Sequence, residues 1–315
     1  MHSIICTLFE NHYHYGVAAL ANSLYQNGFR GSIYAGYRGG LPNWASLAEI
    51  DFQLQWPGSR TLNVCEGLNL HFLPIDTDFH LTNYKPEFML RLINGLGKHS
   101  NGIFYFDPDI VVKCRWDFYE KWIKYGVALV HEEVHNDKPP THPIRMEWEN
   151  IIIKNHFRTR RQIFSYINGG FCGTTLENKS FLILWAHFIN VAINDYQVDP
   201  KRIWSFDKTY PFCFLDQDAL NVAAMCADVS ISEIGPEGMD FVQGGWTMSH
   251  AVGSSKPWRK NFILSALKGQ PPTIADRMFW NYASSPLNNH STAYISFKLF
   301  SISLAKFISR FYSRG

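Results

Sequence analysis

The chain of 315 residues has few cysteines, little net charge and no long apolar run. Its six cysteines stand singly, without a Cys-x-x-Cys pair, which argues against a zinc ribbon and against a disulfide scaffold. A net charge of +2, with no basic tract interleaved with aromatic residues in the first 270 residues, argues against nucleic acid as a partner. Residues 1–9 lack the basic segment of a signal peptide, and no stretch approaches the roughly 20 apolar residues of a membrane span. We therefore expect a reduced, cytoplasmic protein.

Apolar residues make up 46% of the chain and aromatic residues 16%, which indicates a globular protein with a well-filled core. Some of the rings are also candidates for stacking on sugar faces. Near the N-terminus the sequence predicts a buried strand over residues 3–9, a helix over 15–25 and a second strand over 31–36. Strand, helix and strand joined by short loops are typical of a parallel sheet.

Farther along the chain, helices are predicted at residues 86–96 and 180–194, and strands at 102–106 and 126–130. Residues 132–165 are polar, contain prolines and show poor periodicity, so we expect a loop-rich excursion over a site. The sequence has no internal repeat and no Gly/Ser linker. We predict one domain over residues 1–275 and a C-terminal extension over 276–315.

Two carboxylates follow one of the predicted strands. Asp107 and Asp109 flank Pro108, between the apolar residues 104–106 and 110–112. At the carboxyl end of a parallel strand, side chains point into the crevice where α/β proteins bind ligands. Two neighbouring carboxylates repel each other unless a cation lies between them, and hard divalent ions prefer oxygen ligands of this kind. Taken alone, this spacing fits a solvated acidic turn equally well.

Three further segments add to this pattern. Residues 166–171 place two glycines in an apolar run, as at a bulge or where a ligand approaches the backbone. Residues 214–221 place Asp-Gln-Asp at the start of a helical pattern, which also fits an N-cap with acids in the first turn. Residues 249–258 combine a possible metal ligand, a glycine and a lysine suited to a phosphate, although a surface turn has the same composition.

Taken in order, these segments resemble the glycogenin-like family 8 glycosyltransferases, which are retaining enzymes with the GT-A fold. The matches are Asp-x-Asp at 107–109, Asn-x-Gly at 168–170, Asp-Gln-Asp-x-Leu-Asn at 216–221 and His-x-x-Gly-x-x-Lys-Pro-Trp at 250–258. The resemblance implies an α/β fold of GT-A type, with a central mixed, mostly parallel sheet flanked by helices and a C-terminal helical extension. Asn-Gly-Gly stands here where the family commonly has Asn-Ala-Gly.

The resemblance also implies roles for individual residues. A divalent ion, Mn²⁺ or Mg²⁺, is held by Asp107, Asp109 and His250. The nucleotide and its diphosphate are contacted by Thr7, Tyr13, Lys85, Asp107, Gly253 and Lys256. The sugar pocket is lined by Asn168, Gly169, Gly170 and Asp216. Gln217 takes the position nearest the anomeric carbon, so Gln217 and Asp216 are the catalytic candidates.

The function implied is metal-dependent, retaining transfer of a hexose from a nucleotide-diphosphate sugar, UDP-glucose or UDP-galactose, to a glycan or glycolipid acceptor. One alternative is a non-catalytic relative that binds nucleotide-sugar or glycan. A sugar-1-phosphate nucleotidyltransferase is the other alternative, but such enzymes open with a Gly-rich phosphate loop that residues 8–15 lack.

The C-terminal 39 residues are basic and amphipathic. Residues 277–315 contain no Asp or Glu, whereas Arg277, Lys298, Lys306, Arg310 and Arg314 give a formal charge of +5. A helix over residues 294–312 would align Phe297, Phe300, Leu304, Phe307 and Phe311 on one face. This pattern resembles an interfacial helix on an anionic membrane and suits a lipid-linked acceptor on the inner face of that membrane. A helix packed on the domain has the same pattern, so both interpretations remain open.

Overall fold

The structure is a computed structural model, and it describes residues 3–132, 138–205 and 207–312. The strands are β1 (Ser3–Glu10), β2 (Gly31–Arg38), β3 (Glu49–Ile50), β4 (Arg60–Cys65), β5 (Leu68–Pro74), β6 (Gly102–Phe106), β7 (Ile110–Val112), β8 (Val127–Glu132), β9 (Tyr166–Ile167), β10 (Phe171–Thr175), β11 (Ile231–Ile234) and β12 (Met248–His250). The helices are α1 (His14–Gln26), α2 (Lys85–Asn94), α3 (Trp116–Trp122), α4 (Pro143–Lys154), α5 (Ser180–Tyr196), α6 (Leu215–Cys226), α7 (Phe262–Leu267), α8 (Ile274–Asn281) and α9 (Thr292–Ser309).

Most strands of the large sheet run in one direction. Over the described residues its order is β11-β8-β10-β6-β1-β2-β5-β4-β3, and β9 pairs with β8. The neighbours β5, β2, β1 and β6 are parallel, as are β8 and β11, whereas β10 runs antiparallel between β6 and β8. The parallel pairing of β1 and β2 around α1 confirms the strand–helix–strand prediction. The prediction of a mixed, mostly parallel sheet flanked by helices is also confirmed.

Alternate residues of β1 face two different helical layers. Ile4, Cys6 and Leu8 belong to a core shared with α2, α5 and α6. Ile5 and Phe9 belong to a second core that contains α1 and α3. Because successive side chains of a strand point to opposite faces, a central strand that is apolar at nearly every position must be covered on both sides. The carboxyl end of such a strand is then the part left open to a ligand.

One sequence-based expectation is wrong in part. The segment 132–165 is not loop throughout, because α4 occupies Pro143–Lys154. Trp148, Ile151 and Ile152 are buried in the core shared with α5 and α6, at the spacing of one helical face. Exposed Met146 and Ile153 and buried Arg145 blur the helical periodicity in the sequence. Residues 133–137 lie outside the described residues.

The turn after β6 is fixed by close backbone contacts. The small strand β7 follows this turn and pairs antiparallel with β12, which places His250 opposite Ile110. Helix α1 packs on the same turn through Gly16, where an added Cβ would lie only 2.1 Å from the carbonyl oxygen of Pro108. Glycine at position 16 therefore allows the helix to reach the turn.

The C-terminal helices form a small core of their own against α1 and the β7 region. Ile295 and Ile302 of α9 pack with Trp280 of α8 and Phe262 of α7. None of the helices within residues 3–132, 138–205 and 207–312 is long and apolar enough to cross a membrane. The predicted division after residue 275 falls within α8 and stays a prediction. Arg314, counted in the basic charge above, lies outside the described residues.

Candidate active site

A cleft of about 380 Å³ lies where β1, β6 and β8 end. The first turns of α2 and α6, the β9–β10 turn and the loop after β12 complete its walls. Eleven of the sequence-predicted site residues line it: Tyr13, Lys85, Asp107, Asp109, Asn168, Gly170, Asp216, Gln217, His250, Gly253 and Lys256. The fold therefore brings into one cleft residues that are up to 243 positions apart, from Tyr13 to Lys256.

The three predicted metal ligands meet at the floor of the cleft. One donor atom from each of Asp107, Asp109 and His250 lies within 4.8 Å of the other two. The imidazole Nε2 of His250 is 3.2 Å from Asp109 Oδ1 and 3.9 Å from Asp107 Oδ2. Ligands bound at about 2.1 Å to one ion lie at most about 4.2 Å apart, so a small contraction would fit a single Mg²⁺ or Mn²⁺. Two carboxylates and an imidazole suit such an ion.

Lys85 links Asp107 to the wall of the cleft formed by α6 and the β9–β10 turn. Its buried ammonium lies 3.1 Å from Asp107 Oδ1 and 2.9 Å from Asp216 Oδ2, and it donates to the carbonyl oxygen of Gly169. Burial alone would lower the pKa of Lys85, but Asp107 and Asp216 hold that pKa above its usual range. Burial raises the pKa of Asp216 to about 6 against the opposing effect of Lys85. At neutral pH both groups are therefore charged.

Lys256 pairs with the second carboxylate. Its Nζ donates to Asp109 Oδ2 and, at 2.9 Å, to the carbonyl oxygen of Ala251. Burial by itself would raise the pKa of Asp109, but Lys256 and His250 hold that pKa well below its usual range. Asp109 is therefore ionised at any pH at which the protein would be assayed.

The residues at the wall formed by α6 and the β9–β10 turn form a hydrogen-bonded network around Gln217. Its Oε1 accepts from the backbone N–H of Gly169 at 2.8 Å, and its Nε2 donates to Glu132 Oε2 at 2.8 Å. The amide orientation follows from these partners, because the backbone N–H requires the oxygen. Asn168 also donates to Glu132 Oε2, at 2.9 Å, and its Oδ1 accepts from the N–H of Gly170. Gln217 is therefore held in one rotamer at the cleft wall.

Glu132 was not predicted from the sequence. A single glutamate at the end of a strand carries no spacing signal, and the strand was expected to end at residue 130. The direction of β8 would have identified it: because β8 runs parallel to β6, Glu132 at the carboxyl end of β8 lies at the edge of the sheet where the cleft opens. Tyr105 was also missed; its buried hydroxyl donates to Asp107 Oδ1 at 2.9 Å.

Two predicted residues do not line the cleft. Thr7 is fully buried in β1, on the side that faces α1 and α3, and Gly169 contributes only backbone contacts behind the cleft wall. Their predicted contacts with nucleotide and sugar stay predictions. Tyr13 lies at the mouth, where its ring stacks on His12 with centroids 4.9 Å apart.

Charge on the cleft floor favours a cation. Four carboxylates line it, from Asp107, Asp109, Glu132 and Asp216, against the two ammonium groups of Lys85 and Lys256. A fifth carboxylate at the cleft, that of Glu10, is paired with Arg38 at 2.9 Å. Because the uncompensated charge is negative and partly buried, a divalent ion would stabilise the arrangement. The residues present therefore fit a divalent metal ion.

No protein-family profile matches the chain, and no curated protein matches its sequence. Solved glycosyltransferase structures have a similar fold. The apo structure of WbbM, a bifunctional glycosyltransferase, aligns with a TM-score of 0.50 at 13% identity, over 95% of this chain and 52% of that one. The alignment and the sheet order together show that the fold is of the GT-A type.

Two other glycosyltransferase structures align with a TM-score of 0.49 and 14% identity each. GlyE of Streptococcus pneumoniae TIGR4 covers 96% of this chain and is itself covered to 64%. The galactosyltransferase LgtC, solved in complex with donor and acceptor sugar analogues, covers 94% of this chain and is covered to 100%. The chain thus spans about half of WbbM and 64% of GlyE. At such identities the likeness describes the fold alone.

A substitution at Gly170 tests the metal site. An added Cβ there would lie 2.5 Å from His250 Cε1, whereas at Gly169 it would meet the end of the Asp216 side chain at 2.8 Å. We expect Gly170→Ala to displace the imidazole and weaken Mn²⁺ binding at least about tenfold, since groups that orient metal ligands matter by that amount. Electron paramagnetic resonance of free Mn²⁺ measures this directly.

Gly169→Ala is the matched control and should retain more Mn²⁺ affinity, because the tip of a side chain moves more easily than a packed ring. Equal Mn²⁺ affinity in Gly170→Ala and the parent protein would contradict the assignment of His250 as a ligand.

Proposed function

We propose that the chain is a metal-dependent glycosyltransferase that takes its sugar from a nucleotide-diphosphate donor and transfers it to a glycan or glycolipid. The observation that supports this most strongly is the convergence of Asp107, Asp109 and His250, beside Lys256, at the ligand-binding edge of a GT-A fold. The same cleft continues to a polar wall suited to a sugar, built around Gln217.

At the diphosphate end, the three ligands would hold Mn²⁺ or Mg²⁺, with Mn²⁺ favoured by the imidazole. The ion would supply Lewis-acid stabilisation of the charge that develops on the departing phosphate oxygen. Lys256 lies at the same floor and offers an ammonium group to that oxygen. Gly253, with φ of 92°, allows the tight loop that returns the chain to Lys256.

At the sugar end, Asp216 and Asn168 offer acceptors and donors to the hydroxyls of a hexose, for which UDP-glucose and UDP-galactose are the proposed donors. Gln217 presents its amide oxygen, which accepts from the N–H of Gly169 at 2.8 Å and from Asn168 Nδ2 at 3.4 Å, toward the anomeric carbon. An amide is a weak nucleophile, so we propose attack by the acceptor on the face that the diphosphate leaves, with retention of configuration, and the departing phosphate oxygen takes the acceptor's proton. At the nucleoside end, Tyr13 offers its ring to the base.

The removal of one carboxylate tests the metal-dependent part of this proposal. Asp109→Asn loses the charge that offsets a bound cation, so we expect UDP affinity in the presence of Mn²⁺ to fall at least about tenfold. Isothermal calorimetry with and without Mn²⁺ measures the effect. Asp276→Asn is a matched control, because Asp276 is equally buried and paired with Lys260 at 2.8 Å, but lies outside the cleft.

Metal-independent UDP binding by the parent protein would refute the proposal, as would unchanged metal dependence in Asp109→Asn. Hydrolysis of UDP-glucose and UDP-galactose in the same preparations separates an enzyme from a non-catalytic relative, which would bind UDP with Mn²⁺ but release no sugar.

A second test concerns Gln217. We expect Gln217→Ala to slow transfer and donor hydrolysis about 100-fold or more while UDP affinity changes little, because the contact is made mainly in the transition state. Turnover and calorimetry are measured on the same protein, with thermal unfolding to check the fold. A parallel loss of UDP affinity and of rate would make Gln217 a structural residue instead.

We also propose that α9 attaches the protein to an anionic membrane surface. Its inner face packs through Ile295 and Ile302, while the predicted apolar face lies toward solvent. On α9 that face comprises Phe297, Phe300, Leu304 and Phe307, with exposures of 59%, 66%, 36% and 55%, and Phe311, 72% exposed, follows in the turn after the helix ends at Ser309 rather than at the predicted residue 312. Aromatic residues flanked by lysine and arginine suit an interface that contains anionic lipid. A location on the cytoplasmic face stays a prediction.

Two polar substitutions on this face test the attachment. We expect Phe300→Ser/Phe307→Ser to lose binding to vesicles of phosphatidylcholine and phosphatidylserine, because apolar area leaves the interface. Vesicle co-sedimentation measures the bound fraction. The matched control, Leu47→Ser/Phe52→Ser, alters residues that are 80% and 86% exposed elsewhere and should bind as the parent does. Equal binding by all three proteins would rule the attachment out.

A further inference from the structure

A second groove, of about 450 Å³, adjoins the donor cleft. It lies between the C-terminal end of α5 and the loop that leads from α5 to α6. Ile203 lines both the cleft and the groove, so the two adjoin at this side chain. The groove thus borders the wall of the cleft to which the α5–α6 loop contributes.

The loop that forms the groove is held by hydrogen bonds to its backbone, two of them from the side-chain amide of Asn83. Asn83, next to α2, donates to the carbonyl oxygens of Pro200 and Arg202 at 2.8 Å each. The N–H of Ser205 donates to the carbonyl oxygen of Cys213 at 2.7 Å. Ile203 and Trp204 lie between these anchors, and each is 45% exposed. Two large apolar side chains are thus displayed to solvent on a fixed backbone.

The lining of the groove combines aromatic rings with charged groups. Tyr196, Trp204 and Tyr210 supply the rings, and the centroids of the two tyrosine rings are 6.3 Å apart. Asp199 and Asp207 supply carboxylates, each of which uses Oδ1 to accept from the loop's own backbone, from Lys201 and Thr209, respectively. The C–H face of a pyranose ring packs on the electron-rich face of an aromatic ring, and its hydroxyls donate to carboxylates at the edge.

Among the described residues of this loop, the exposed large apolar side chains are Ile203 and Trp204. Ile203 and Trp204 are flanked by the exposed charged residues Lys201, Arg202 and Asp207. Protein interfaces need a wider contiguous surface with an apolar centre, whereas a narrow groove with a few rings and polar edges suits a small hydroxyl-rich chain.

We propose that this groove binds the part of an oligosaccharide acceptor that lies beyond the unit receiving the sugar. The inference rests on the proposed function, because it takes the adjoining cleft as the donor site. The receiving unit would lie against Ile203, and the next units would follow Trp204 and Tyr210 along the groove. Affinity for the acceptor therefore rises with its length.

Binding to a glycan array tests the groove without knowledge of the natural acceptor. The array carries gluco- and galacto-oligosaccharides of two to six units, and the protein is applied with UDP and Mn²⁺. We expect the parent to bind at least one series more tightly as its length increases. Trp204→Ala should weaken the longest members roughly tenfold, as the loss of one aromatic contact would, and the disaccharides little.

Trp246→Ala is the matched control, because Trp246 is 55% exposed, packs edge-on against Phe118 and lines neither the cleft nor the groove. It should bind the array as the parent does. An array with no bound glycan, affinity independent of length, or equal retention by Trp204→Ala and Trp246→Ala would overturn the proposal.

Calorimetry of UDP with Mn²⁺ on the same preparations distinguishes a failure of the groove proposal from a failure of the proposed function. Intact UDP binding without a Trp204-dependent length effect refutes the groove alone. Absent UDP binding refutes the proposed function, while a Trp204-dependent length effect without UDP would still support an oligosaccharide groove.

Discussion

The mutual repulsion of Asp107 and Asp109, two carboxylates one residue apart at the end of a buried strand, is the constraint on which the site depends. Neither side chain is freely solvated, so positive or hydrogen-bonding partners must come from elsewhere in the chain. Lys85 arrives from the start of α2, and His250 and Lys256 arrive with β12 and the loop after it. The backbone pairing of β7 with β12 brings His250 and Lys256 close to the two carboxylates.

Close packing around these charges explains the glycines nearby. At Gly16 and Gly170 an added Cβ would meet the Pro108 carbonyl and the His250 ring, respectively. A side chain at either position would push the turn or the imidazole away from the carboxylates. Close packing also shapes the polar wall, because the backbone of Gly169 lies near enough to Gln217 for its N–H to hold the side-chain amide in place. Backbone proximity, as much as side-chain identity, therefore shapes the cleft.

Short-range sequence patterns predicted the secondary-structure elements that depend only on residues close together in the chain. The apolar run of β1 and the helical spacing of α1 identified the first parallel pair, and the ordered motifs identified most of the cleft. Glu132 was missed because its role depends on the direction of β8 relative to β6, which no local pattern encodes. Helix α4 was missed because Met146 and Ile153 lie on its exposed face and Arg145 on its buried face, so apolar residues do not recur with a helical period. Thr7 points inward because strand alternation places it with Ile5 and Phe9, a consideration that a motif match does not include.

The contact between Lys256 and Asp109 has a consequence for how the protein would handle its ion. The ammonium group balances the charge of a buried carboxylate that would otherwise face the metal ligands alone. An ion held by Asp107, Asp109 and His250 would compete with that ammonium group for Asp109, and its affinity would be lower for it. A diphosphate that receives the released ammonium group returns part of this cost, and so ion and nucleotide would strengthen each other's binding. The lysine would thus serve as an internal counterion that gives way when ion and nucleotide bind together.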